Sequence, residues 1–187
     1  QIPHTSRRYI LPPVTTNTPE HLTACFRAIT SINASLDLDA VIERTMAAAE
    51  NLMNAEAASI LLLDEATGEL YFRRASGLKG NQVEQIRIPP GQGIAGWVVR
   101  EGRAALVEDA TKDPRHFRDV DSRAAFRTRN LIAVPLQVQG RTIGVAEVLN
   151  RREGSFTPAD LALFEAFATL VAISIENARL YRRQLEA

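Results

Sequence analysis

Three groups of residues in this chain have the types and spacing for chemistry. Gly91, Gly93 and Gly96, in IPPGQGIAGW, form a G-x-G-x-x-G pattern, which in a dinucleotide fold permits a tight turn and close backbone approach to a pyrophosphate. That reading needs a full strand and a βαβ unit around the glycines. Here the preceding apolar stretch is short and ends in Pro89-Pro90, which cannot donate ladder hydrogen bonds. The second group is a single acid: Glu147 stands in GVAEVL, where strand alternation gives it the same face as Val145 and Leu149, and an acid on a core face must be paired or line a cavity. The third is thiol and imidazole. Cys25 is the single cysteine, which forbids an internal disulfide and any multi-cysteine metal site; it falls on an apolar helical stripe with Leu22, Phe26, Ile29 and Ile32 and reads as a buried spectator. His4, His21 and His116 are scattered without the neighbours that make a triad or metal cluster. His116, in DPRHF, is either a loop histidine or a haem ligand. With no nucleophile-base pair in view, the expectation is a protein that performs no catalysis and holds no metal.

The elements that must position these groups follow from periodicity. The chain has 187 residues with 45% hydrophobic content, enough for one domain with its own core plus flanking chain. Lys and Arg total 22, as do Asp and Glu, and this balance removes the simplest argument for a nucleic-acid partner, a basic face. No uninterrupted apolar run approaches the roughly 20 residues of a bilayer span, and the first residues lack a signal-peptide core. A soluble, cytoplasmic protein without a membrane partner is expected. Residues 1–20 are proline-rich and aperiodic, a flexible arm or linker. Helical periods cover residues 21–33 and 38–53, the latter turning Leu38, Val41, Ile42, Ala49 and Leu52 inward. AASILLLDEATGELYFRRAS and NLIAVPLQVQGRTIGVAEVLN each read as an antiparallel hairpin, with Gly68 and Gly140 in the turns. Between them lie short strands at 86–88 and 105–108 and a helix at 93–100; a long helix over 158–185 closes the chain. The expected fold is α+β, a central antiparallel sheet with N- and C-terminal helices on one face and a ligand pocket on the other.

NAEAASILLLDE, IRIPPGQGIAGWVV, AFRTRNLIAVPL, GRTIGVAEVLN and NRREGSFTPAD occur in this order and resemble the GAF domains, most closely the regulatory GAF domains of cyclic-nucleotide phosphodiesterases and bacterial cyclases. The resemblance covers residues 21–181. It implies a small-molecule pocket, with cAMP or cGMP as the leading regulatory ligand. It places Ile94 and Ala95 at a helix start whose N–H groups face a cyclic phosphate, an arrangement that suits an anion; the other reading of that start is close packing. It places Ser59 on a strand beside the ligand, Asp121 and Thr128 in a lid segment, and Glu147 below the pocket. The chain departs from the family at Ala124, where relatives have threonine, and around Arg74 to Ser76, where they carry a stacking phenylalanine and an aspartate. Arg74 is either a solvated arginine or a guanidinium stacked on a purine.

Asn150, Arg151, Phe156 and Asp160 resemble the family's NKFDE signature, with Arg for Lys and Leu161 for the final Glu. Thr157 suits a helix cap, Pro158 the first helical position, Asp160 the positive end, and Phe156 with Leu161 a hydrophobic staple. The signature is therefore assigned to architecture, an Arg151–Asp160 ion pair joining the last strand to the last helix. Phe164, Ala168, Val171, Ile175, Ala178, Tyr181 and Leu185 form an apolar stripe, and a homodimer through the first and last helices is expected. Residues 182–187 would begin a coiled coil leading to a covalently linked effector domain. The expected role is a ligand-sensing regulatory module of a larger signalling protein; the alternative is a dimerisation module with an empty pocket.

Overall fold

A computed structural model describes residues 37–76, 86–116, 118, 120 and 126–187. The expected arm at 1–20, the helix at 21–33 with Cys25, and Asp121 and Ala124 lie outside these residues. Helix α1 (Leu38–Met53) begins at Asp37, whose carboxylate accepts from the Asp39 N–H, and ends at Asn54 in the left-handed region. Strands β1 (Ala55–Leu63) and β2 (Leu70–Ala75) form the first hairpin, and β3 (Arg87–Ile88) adds a short edge. Helix α2 (Gly93–Glu101) and strand β4 (Ala105–Val107) follow, then the hairpin β5 (Leu131–Val138) and β6 (Arg141–Arg151). Helix α3 (Pro158–Glu186) closes the chain. The six strands form one sheet in the order β3-β2-β1-β6-β5-β4, and every pairing is antiparallel. The α+β expectation holds.

Strand alternation sorts the side chains into two cores. On one face α1 and α3 pack Val41, Ile42, Phe164, Val171 and Ile175 onto Ile60, Leu62, Ile132, Val134 and Val148. On the other, α2 packs Ile94, Ala95 and Val98 onto Leu61, Phe72, Leu131, Val145 and Leu149. A bulge opposite Leu136 and Gln137 resets the parity of β6, so that from Val145 onward the odd residues face α2. Helix α3 is long and apolar enough by length and composition to cross a bilayer. Its apolar side, however, is spent on the sheet and α1, as the burial of Phe164, Phe167, Val171 and Ile175 shows.

This burial corrects the dimer stripe. Phe164, Ala168, Val171, Ile175 and Ala178 are core residues, because the stripe faces the sheet. The large apolar side chains that α3 leaves in solvent are Ile173, Leu180, Tyr181 and Leu185.

Candidate functional site

The glycine pattern is resolved by packing. Gly91 and Gly93 sit at φ 74° and 70°, a region that favours glycine, and they turn the chain from β3 into α2. Gly96 has no room for a side chain, since a Cβ there would stand 2.7 Å from the Gly91 carbonyl carbon. The three glycines thus fold the loop back onto the first turn of its own helix, and among the described residues no parallel strand pair surrounds them. Gln92, the N-cap of α2, makes no side-chain cap hydrogen bond. The first-turn N–H groups have no partner inside the helix, and Gly93, Ile94 and Ala95 of that turn line a cavity.

Beneath that turn lies a cavity of about 60 Å³ lined by Gly93, Ile94, Ala95, Phe72, Ile88, His116, Val120, Thr128, Leu131, Glu147 and Leu149. Four of the six residues proposed for ligand contact, Ile94, Ala95, Thr128 and Glu147, are therefore brought together. Ser59 is behind the wall: it pairs directly with Glu147 across β1 and β6, and its hydroxyl donates to Glu147 Oε2 at 3.0 Å. The acid expected to be paired or to line a cavity does both. Ala75, Ser59, Glu147, Ala133 and Ala105 occupy one register row across five strands. Small residues around the acid lower the sheet surface there.

The rim contains groups that sequence reasoning did not select. His116, read as loop histidine or haem ligand, is half-buried and lines the cavity. Its loop is anchored by Asp113, whose carboxylate accepts from the Arg115 backbone N–H and guanidinium at 2.7 to 2.9 Å; that guanidinium holds Asp113 below the usual carboxylate range. Arg115 in turn stacks on Trp97 of α2, 4.4 Å from the ring centroid. Phe72 supplies the aromatic wall. Its signal in the sequence is the alternation of LYF in β2, whereas the resemblance sets the stacking position at residues 74–76. Arg74 itself is on the other side, paired with Glu43 of α1, and the purine-stacking option falls with it.

The signature at the end of β6 is architectural in its geometry. Arg151 pairs with Asp160. Asp160 accepts from the Thr157 N–H at 2.8 Å while the Thr157 hydroxyl accepts from the Asp160 N–H at 3.2 Å, a reciprocal capping box. Phe156 and Leu161 join the same apolar core. Asn150 makes more bonds than the sequence suggested. Its Oδ1 accepts from the Arg129 N–H at 2.6 Å, and its Nδ2 donates to the Arg127 carbonyl at 2.8 Å and to Glu56 at 3.1 Å. Glu56 also takes the Arg129 guanidinium at 2.9 Å, which lowers its pKa.

The model of the GAF domain family matches residues 35–176. The chain belongs to this family. A probable 3',5'-cyclic phosphodiesterase of Caenorhabditis elegans is 32% identical over 155 residues, 78% of this chain and 21% of that protein. The chain thus spans about a fifth of that relative's length. Among solved structures, the GAF domain of a phosphoenolpyruvate-protein phosphotransferase from Coxiella burnetii superposes with a TM-score of 0.81 at 20% identity, covering 90% of this chain and 99% of that one. The free methionine-R-sulfoxide reductase of Neisseria meningitidis superposes at 0.74 with 21% identity, covering 89% of this chain and 96% of that one. At such identity these two show the fold, and the fold alone serves both sensors and enzymes. The relatedness to a cyclic-nucleotide phosphodiesterase through its GAF region supports a regulatory sensor module.

Proposed function

We propose that this GAF domain is a ligand-sensing module, with a cyclic nucleotide as its leading ligand, and that it regulates a covalently linked effector in a cytoplasmic signalling protein. One observation carries the reading: Ser59 and Glu147 are hydrogen-bonded on an otherwise apolar sheet face, and Glu147 and Thr128, from the segment before β5, line one cavity with the first turn of α2, whose N-cap makes no side-chain hydrogen bond. The N–H groups of Ile94 and Ala95 suit an anionic phosphate, while Glu147 can accept from ligand hydroxyl or N–H donors. Ligand sites commonly enclose 300 Å³ or more, so a cavity of about 60 Å³ admits a nucleotide by withdrawal of His116 and Val120 from the rim. We read the module as regulatory and non-catalytic, since a single cysteine, Cys25, cannot support two-thiol chemistry within one chain. Helix α3 is the route out, and its exposed Ile173 and Leu180, 44% and 46% accessible, are seven residues apart, a heptad spacing suited to a second copy.

A melting scan with cAMP and cGMP tests this. A ligand bound only by the native state adds about 2.7 kcal/mol at a hundredfold excess over Kd, which for a domain of this size raises Tm by roughly 5 to 10 °C. Millimolar cyclic nucleotide that leaves Tm unmoved removes cyclic-nucleotide sensing, and a panel of haem and metabolites that also leaves it unmoved favours the dimerisation module.

A further inference from the structure

His116 borders two cavities. One is the small cavity over Glu147. The other is a more open cavity of about 300 Å³ whose walls include Gln92, Trp97, Arg100, Arg115 and His116. Gly93 and His116 line both, so these two residues form the partition between them. The larger volume reaches the lower end of the range for ligand sites, and the smaller falls well short of it.

The His116 side of the partition is carried by a tight turn. The His116 N–H donates to the Asp113 carbonyl at 3.1 Å, with Pro114 at the second position, where its fixed φ favours a turn. The Asp113 carboxylate closes the turn from the side, accepting from the Arg115 backbone N–H and Nε at 2.9 Å each and from Nη2 at 2.7 Å. Asp113, Arg115 and His116 are therefore bonded to one another and move as a unit. The Arg115 guanidinium ties this unit to α2, standing 4.4 Å from the centroid of the half-buried Trp97 ring. Because it is planar and forked, it stacks on the indole while pairing with Asp113. A second guanidinium, that of Arg103, stands 5.1 Å from the same ring, but it belongs to the segment just past α2 and not to the turn.

We propose that Trp97 and Arg115 are positioning residues for the ligand cavity: their stack is a latch that holds His116 in the partition, and a ligand reaches Glu147 and Thr128 from the outer cavity by breaking it. The entrance rests on the sensing role above; the latch does not.

NMR of the wild-type chain reads the latch without any variant. Trp97 is the single tryptophan, and its ring current should shift Arg115 side-chain protons upfield; protons at the positions of a solvated arginine overturn the latch. In Arg115→Gln the His116 ring resonances should move, whereas in Arg103→Gln, which also takes a guanidinium from Trp97, they should stay. His116 resonances that respond alike to both variants, or to neither, overturn the positioning role. The entrance is read by surface plasmon resonance of cAMP and cGMP on the immobilised chain. In Arg115→Gln and Trp97→Leu, association and dissociation should both quicken about tenfold while Kd stays within about twofold, since a partition that opens for passage in either direction sets both rates. Trp97→Phe keeps a ring face for the guanidinium and should lie nearer wild type; rates equal to those of Trp97→Leu would assign the effect to bulk and overturn the latch. Faster dissociation alone would make Arg115 a ligand contact, and a lower Tm with wild-type rates would make the stack purely structural; either overturns the entrance. If wild-type protein binds neither nucleotide, cyclic-nucleotide sensing and the entrance fall together, and the Arg115 and His116 resonances alone decide the latch.

Discussion

The two faces of the sheet satisfy their buried hydroxyls by different means. On the face covered by α1 and α3, Thr45 donates to the Val41 carbonyl at 2.7 Å and Ser174 to the Leu170 carbonyl at 3.1 Å, each one turn back in its own helix. These bonds cost no long-range arrangement, and the surrounding core is apolar. On the α2 face, Ser59 donates to Glu147, 88 positions away in the chain, in a wall that also holds Thr128 and His116. Burying an acid is costly unless it is paired, and a paired acid beside a cavity retains acceptor capacity for something else. The first face is closed by local bonds; the second spends a long-range pair on a wall beside a cavity.

Substitutions of one charge on each face should expose that difference at its largest. Ile175 is fully buried against the sheet, and Ile175→Glu should cost about 4 kcal/mol or more, the scale of an unpaired buried charge, seen as loss of the cooperative melt. Glu147→Gln keeps shape and a hydrogen-bonding carbonyl, and should stay within about 1 kcal/mol of wild type by urea titration while weakening cyclic-nucleotide binding. Equal collapse of both variants would mean that the faces do not differ. Ile173→Glu with Leu180→Glu, two solvent-exposed positions, should leave folding intact and convert dimer to monomer in sedimentation; an unchanged sedimentation coefficient removes α3 as the dimer contact.

Much of this was legible in the chain, and the gaps have physical causes. Alternation placed Glu147 with Val145 and Leu149 on one face, because a strand's period of two is a property of consecutive residues. Hairpins around Gly68 and Gly140 and the cap at Thr157 are equally local. The period of α3 marked Val171 and Ile175 as apolar, but no period says whether sheet or partner covers a stripe, and the sheet does. Asn150 was recognised as part of a signature without its purpose, since its partners Arg127 and Arg129 lie more than 20 residues upstream and side-chain-to-backbone bonds leave no periodic trace. Phe72 is not marked by the resemblance, which sets the stacking position around Arg74 to Ser76 instead.

A smaller effect is expected where β6 hands over to α3. Asp160 serves three donors at once, the Thr157 N–H, the Thr157 hydroxyl and the Arg151 guanidinium. Asp160→Ala should lower stability by about 1 to 2 kcal/mol, the range for loss of a helix-terminal cap and charge, with the denaturant slope unchanged. Ligand affinity should survive, because none of these groups lines the cavity. A variant of wild-type stability that no longer binds would move Arg151 and Asp160 from architecture into the site.

The smallest effect lies at the edge of the packed face, where its economy is incomplete. Glu50, in the last turn of α1, has a buried Oε1 with no hydrogen-bond partner among the described residues. Burial pushes its pKa above the ordinary value of 4.5, and the positive charge of Arg152 only partly offsets this. Because the folded state favours the protonated form, the stability tied to that proton is fully present below pH 4.5 and is lost as pH rises through the higher folded-state value. At pH 7 the ionised Glu50 is therefore a liability. Glu50→Gln, neutral at every pH, should melt about 1 to 3 °C above wild type at pH 7, a change under 1 kcal/mol for a domain of this size. The gap should close as the pH is lowered toward 4.5 in matched melting scans. A gap that is constant with pH would show that the gain comes from helix propensity or packing, and a lower Tm at pH 7 would show that the attraction to Arg152 outweighs the cost of burying the charge.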